Sequence, residues 1–260
     1  MSVTRLSVAG DPGGGRVRVV VASDGPRGRG HLGIRVLDAR PDHARVALLA
    51  EGALLLAGDE VGVRVDVGPG VHLEVVEPAG TVAYDMRGGE ATWAVTAELG
   101  PHARLVWRAE PFVVSSGARV RRTLDLHLRE NAVAVLRETL VLGRSAESGG
   151  TLQQWTRVTT ADGPLLAEDL EIDGARPQVG VLGGSRVLDT VAVLGTRAGA
   201  EPTPAGAHRL ELDGCGTLLR ALLPAVHLSP LEPVWRRAVS QTTEGTERTG
   251  RPVETVEAVA

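Results

Sequence analysis

Gly28, Gly30 and Gly33, in the run GRGHLG close behind an apolar stretch, match the glycine spacing of a dinucleotide-binding loop. That chemistry needs a helix to open at once, so that its free N–H groups meet a pyrophosphate. The loop leads instead into IRVLDARPD, an alternating stretch ending at Pro41, and nucleotide binding is therefore not expected. The histidines, at 31, 43, 72, 102, 127, 208 and 227, show no H-x-H or H-x3-H spacing, and Cys215 is the single cysteine. A metal site would have to be assembled from distant strands. His72 and His102 come just after turns, where an exposed polar side chain is ordinary. No G-x-S-x-G element is present, and Cys215 in DGCGT reads as a small residue in a tight turn.

Asp59, Asp66, Glu74, Glu77, Glu138, Glu168 and Asp169 could furnish carboxylates, yet nothing pairs them in sequence, and most read as solvated strand faces. Two differ. Asp59 comes after the apolar run that begins ALLLAG, and Glu168 lies on the return strand of a strand-turn-strand unit. An interior carboxylate at either place needs a partner or water.

The elements that must position these groups are strands. VRVDVGPGVHLEVVE (63–77), TAELGPHARLVWRAE (96–110) and LDLHLRENAVAVLRE (124–138) repeat one plan, with turns about every thirty residues. On both sides of each turn, apolar and polar residues alternate with the period of a half-buried strand. A recurring hairpin cannot bury its apolar face alone, so the repeat predicts an elongated all-β stack, β-helix-like, with broad outer surfaces. A fourth unit spans 151–173, with Asp162-Gly163 as its turn. Further strands are expected at 16–23, 31–38, 44–50, 187–195 and 207–214. Helix is expected only at 217–223 and 231–240. Residues 1–15 read as a flexible lead, 16–237 as one β domain and 238–260 as a disordered tail rich in Thr and Glu.

Composition narrows the function classes. Hydrophobic residues make up 43% of the chain and aromatics only 2%, so Val, Leu and Ala must fill the core, and branched Val favours the pleated backbone. A net charge of −4 gives no reason to expect nucleic acid. The 28 basic residues are all arginine, which removes P-loop and Schiff-base lysines. One cysteine excludes an intrachain disulfide and fits a reducing cytosol. With no long apolar run or secretion signal, no membrane association is expected and a cytoplasmic location is the default.

The order of segments from about Arg16 to Arg237 resembles the urease accessory protein UreD family, also called UreH. The residues carrying the resemblance begin with the apolar run ending in Gly58-Asp59, the turn Gly68-Pro69-Gly70 and the loop EPAGTVAY (77–84). They continue through LVWRAEPFVVSSGARVRRTLDLHL (105–128), LRETLVLGRSA (136–146) and EPVWRR (232–237). Ala53 and Leu54 stand where the family has paired glycines, and Val82 where it has a lysine. The resemblance implies an extended β-helix-like body with a small helical element and no enzymatic activity. It also implies a scaffold that binds urease apoprotein and joins it to UreF-like and UreG-like accessory proteins for nickel insertion. No cofactor would be stably bound, and nickel would be in transit. Asp59, Thr81, Glu138 and Glu168, in family-like segments, are the expected lining of that transit, because exchangeable oxygen ligands release nickel more readily than nitrogen or sulfur. The alternative reading is a β-solenoid carbohydrate-active enzyme with an Asp/Glu pair facing each other across a groove.

Overall fold

The computed structural model describes residues 2–24 and 32–249. Gly28, Gly30 and His31 lie outside the described residues, and Gly33 is in a strand. The chain forms two stacked sheets. Sheet A runs β14 (Gly163–Asp173), β13 (Thr151–Thr160), β11 (Arg119–Leu128), β8 (Ala91–Leu99), β5 (Glu60–Val67), β1 (Ser2–Ala9) and β2 (Arg18–Asp24). Sheet B runs β16 (His208–Glu211), β17 (Gly216–Leu223), β15 (Val187–Leu194), β12 (Val133–Leu142), β9 (Arg104–Arg108), β6 (His72–Val76), β4 (His43–Ala50) and β3 (Leu32–Ala39). Two short strands, β7 (Thr81–Ala83) and β10 (Phe112–Val114), pair in parallel beside the far end of β12. The all-β, β-helix-like class expected from the repeat is the class observed.

The three repeated units are not hairpins. β5, β8 and β11 pair in parallel within sheet A, while β6, β9 and β12 pair in parallel within sheet B. Each unit is therefore an arch whose two strands belong to opposite sheets. Alternation cannot distinguish the two forms, because a strand shows one apolar face whether its partner is the next strand or the next repeat. The turns stack as the strands do. Gly68 N–H donates to Val8, Gly100 N–H to Val67 and Arg129 N–H to Leu99, at 2.7, 2.8 and 3.0 Å. The third turn residue is left-handed each time, with φ of 68° at Gly70, 59° at His102 and 54° at Asn131. Close stacking also selects glycine at the start: a Cβ on Gly100 would lie 2.9 Å from the Pro69 nitrogen. The fourth unit is a true antiparallel hairpin, β13 with β14.

Between the sheets, Leu6, Val65, Ala97, Leu126 and Val158 form one buried row across five strands, in register throughout. A second core lies outside sheet B, where α1 (Glu232–Thr249) packs. Leu231, Val234, Trp235 and Ala238 are buried at helical spacing against Val135, Val191 and Leu219. Ser229 Oγ accepts the Leu231 N–H at 3.1 Å and fixes the chain just before the helix.

Three further expectations are corrected. Ser2–Ala9, placed in a flexible lead, form β1 inside sheet A, with Ser2, Thr4, Leu6 and Val8 facing in. Residues 217–223, read as helix, are the strand β17, buried on both faces between the inner core and α1, where an apolar run carries no period. The tail read as disordered from 238 is helical to Thr249, since a helix nucleated by packing extends at the cost of one residue per hydrogen bond; residues 250–260 lie outside the described residues.

His72 does not sit in solvent. Its ring meets that of His43 on the neighbouring strand at 4.9 Å, and burial, then His43 and Arg104, push its pKa down to about 4. Among the described residues, no helix is long and apolar enough to cross a membrane.

Candidate functional site: a polar row inside the stack

Register determines which polar side chains enter the interior. In sheet B, Glu138 pairs with Thr190, and Thr190 with Arg220. One residue beyond the paired Val76, Arg108 and Arg137, the same row continues as Glu77, Ala109 and Glu138. The Glu77 N–H donates to the Arg108 carbonyl at 3.2 Å, and the Ala109 N–H to that of Arg137 at 3.1 Å. Strand spacing of about 4.8 Å thus lines up Glu77, Ala109, Glu138, Thr190 and Arg220 across the stack. Facing them, sheet A supplies Arg122 and Gln154 from one row, and Leu124, Thr156 and Glu168 from the next.

All of these residues line one cavity of about 110 Å³, walled by Trp93, Trp107 and Phe112. It can hold a few waters or a small ion. Pockets for ordinary organic ligands are larger, about 300–1,000 Å³.

The cavity's charges are organised in pairs. Arg122 Nη2 lies 2.6 Å from Glu138 Oε1, while its Nη1 donates to Gln154 Oε1 at 2.8 Å. Gln154 Nε2 closes the triangle by donating to Glu138 Oε2 at 2.8 Å. The Arg122 guanidinium also sits 4.2 Å above the Phe112 ring, a cation–π contact. Both terminal nitrogens of Arg220 donate to Glu168, at 2.5 and 2.7 Å. In each arginine the remaining Nε is buried without a hydrogen-bond partner in the protein.

Glu77 has no arginine of its own. Trp107 Nε1 donates to it at 2.9 Å. Burial pushes its pKa up to about 7, against the opposing pull of Trp107 and Arg122, with Glu138 and Glu110 adding to the rise. The folded state therefore binds a proton that the unfolded chain releases near 4.5. Stability from this group is full below about pH 4.5, declines as pH rises to about 7 and is flat above. Glu77→Gln mimics the protonated form, so the variant should gain stability relative to wild type between pH 5 and pH 8. Denaturant melts at the two pH values check this; an unchanged difference would show Glu77 to be ionised throughout.

Of the four expected lining residues, the fold brings Glu138 and Glu168 into the cavity. Asp59 and Thr81 are buried but do not line it. Asp59 Oδ2 accepts the Leu56 N–H at 3.0 Å, closing the turn before β5, and its carbonyl accepts the N–H of Thr92, next to Trp93. Thr81 pairs in register with Phe112. Glu77, read as a solvated face, and Arg122, Gln154, Thr156, Thr190 and Arg220, unremarked in the sequence, also line it, as do Glu110 and Arg137. Among the described residues, no group of three or more His, Cys, Asp or Glu stands close enough to hold a metal ion.

A family model described as UreD urease accessory protein matches residues 29–247. Proteins named urease accessory protein UreD are similar over much of their length. One from Streptomyces griseus is 43% identical over 202 residues, covering 75% of this chain and 78% of that protein. One from a Parafrankia species is 37% identical over 195 residues, 64% of this chain and 66% of that one. A third, from Streptomyces avermitilis, is 28% identical over 233 residues, 86% and 90%.

Proposed function

The chain belongs to the UreD family of urease accessory proteins, and from that premise we propose that it is a non-catalytic scaffold for urease maturation whose interior polar row passes nickel toward the urease apoprotein. Its relatives are named as accessory proteins, not enzymes. The carrying observation is the row itself: Glu77, Glu138, Thr190 and Arg220, faced by Gln154, Thr156 and Glu168, cross an otherwise apolar stack along its axis.

Such a row suits a cation that must move on. Nickel is the cargo here, not a resident group. Carboxylate, amide and hydroxyl oxygens hold it weakly, whereas a cage of imidazole or thiolate would retain it. Glu138 and Glu168 are each met by an arginine at rest, and Glu77, held by Trp107, has its pKa pushed up to about 7, which together keep the charge of the empty interior low. The competing glycosidase reading finds less support, since the cavity is small for a sugar and both Glu138 and Glu168 are held by arginines. A glycosidase needs one carboxyl free as acid and the other as base or nucleophile.

UreF-like and UreG-like accessory proteins and urease apoprotein are the partners this role requires, in a cytoplasmic setting. Co-expression with a UreF-like protein tests the scaffold: the two should co-purify in mild salt. Recovery of both as separate monomers would overturn it.

A further inference from the structure

Glu168 and Arg220 stand where the two sheets run out. Glu168 is on β14, the edge strand of sheet A, and Arg220 is on β17, next to the edge strand of sheet B. β14 and β17 are not paired through their backbones; the guanidinium and the carboxylate bridge them. About a quarter of each side chain is exposed, 25% and 24%, whereas Gln154 and Thr156 deeper in the cavity are 5% and 8% exposed. On the solvent side the apolar residues Leu210 and Leu222 are 46% and 42% exposed. The pair therefore lies between solvent and the buried polar row.

It is also an incompletely satisfied pair. Arg220 spends both terminal nitrogens on Glu168 and leaves Nε buried without a protein partner. An unmet buried donor carries a desolvation cost that a fully bonded ion pair avoids. A fully bonded example exists beneath α1, where Asp189 accepts from Arg137, Thr139 and Ser229. Moreover, each Glu168 oxygen accepts from the guanidinium, so a cation approaching that carboxylate meets the Arg220 charge and gains the bidentate face of Glu168 only if the guanidinium moves away.

We propose that Arg220 is a built-in counter-cation that closes the mouth of the cavity by occupying Glu168, and that a divalent cation enters by displacing it. The second half rests on the nickel-passing reading; the first does not. A guanidinium spreads one charge over three nitrogens, while a divalent ion concentrates two, so exchange at an oxygen donor favours the metal once it arrives. Arg220 would then set which cations are admitted.

Two measurements on the full-length protein test this. In a Cys215→Ser background, Thr156→Cys places a thiol inside the cavity, and its labelling by a small methanethiosulfonate reports access. With Arg220 intact, labelling should be slow. Arg220→Met should accelerate it by at least about tenfold, equal to about 1.4 kcal/mol in the opening equilibrium, while Arg220→Lys, which keeps the charge, should stay near wild type. Equal rates in all three would overturn the closure. Separately, calorimetry with nickel chloride alone on chains retaining Thr156 should show tighter binding in Arg220→Met than in wild type, lost again in the Arg220→Met/Glu168→Gln double variant. Unchanged nickel affinity in Arg220→Met would overturn the displacement step, and the labelling result would still decide the closure. Because labelling uses no nickel, it also separates failure of the closure from failure of the nickel-passing reading.

Discussion

Asp189→Ala is expected to destabilise the protein by about 3–5 kcal/mol, the usual cost of stripping one partner from a buried ion pair. Asp189 is fully buried on the outer face of sheet B, beneath the start of α1. Its Oδ1 accepts from Thr139 at 2.9 Å, and its Oδ2 accepts from Arg137 at 3.1 Å and from Ser229. Ser229 in turn accepts the Leu231 N–H, and Arg137 also binds Glu232, which takes Arg236 at 2.9 Å. Burial works against the charge on Arg137, yet Asp189 and Glu232 outweigh it and hold its pKa above the ordinary arginine value. Removing Asp189 leaves that guanidinium, 11% exposed, with Glu232 alone, and frees the Ser229 hydroxyl that orders the helix start. Urea melts of wild type and variant check the loss. The Asp189→Val/Arg137→Met double variant should recover part of it, because an apolar pair of similar volume leaves no buried charge; a double variant no more stable than Asp189→Ala would contradict the explanation.

Glu138→Gln is expected to lower urease activation by roughly tenfold, within the range that changes around metal-handling groups produce. Glu138 sits at the centre of the inner row, between Ala109 and Thr190, and holds Arg122 and Gln154 at 2.6 and 2.8 Å. The amide keeps the volume and can still accept from Arg122, but its NH2 then faces the Gln154 Nε2 donor and Arg122 loses its counter-charge. A stability cost is therefore expected as well, and activation is compared at equal amounts of folded protein. Arg122, 11% exposed, then faces the cavity uncompensated and repels a cation at the middle of its path. Glu138→Asp retains the charge and should retain most of the activation.

Much of the fold was legible because its determinants are local. The repeat at 63–77, 96–110 and 124–138 carries both the strand period and the turn chemistry, and the left-handed positions fall on Gly70, His102 and Asn131, residue types suited to them. Alternation could not convey partner choice. Arches and hairpins have the same period, so the sheet assignment of each strand depends on contacts between repeats. The site was half legible for a related reason. Glu138 stands on the parity of Leu136 and Leu140, Arg122 on that of Val120 and Leu124, and Gln154 on that of Leu152 and Val158. Likewise Glu168 shares parity with Leu166 and Leu170, and Arg220 with Leu218 and Leu222. A polar residue on the apolar parity of a strand was the available signal for an interior polar row. Asp59 stood out by its place after an apolar run, but there its carboxylate caps a turn. β17 and the end of α1 were obscured because burial on both faces erases period in one, and packing sustains a polar helix in the other.

If nickel crosses the interior of the stack, blocking the polar row must stop it. Ala109 lies between Glu77 and Glu138, so Ala109→Leu fills the path without changing any charge, at an overpacking cost of about 1–3 kcal/mol. Nickel bound to urease would be counted by mass spectrometry after maturation with wild type, Ala109→Leu or Glu138→Gln, each verified to co-purify with its UreF-like partner. The prediction is normal complex formation with strongly reduced nickel in urease for both variants. Full nickel loading by an intact complex carrying Ala109→Leu would contradict passage through this protein and leave it a scaffold alone.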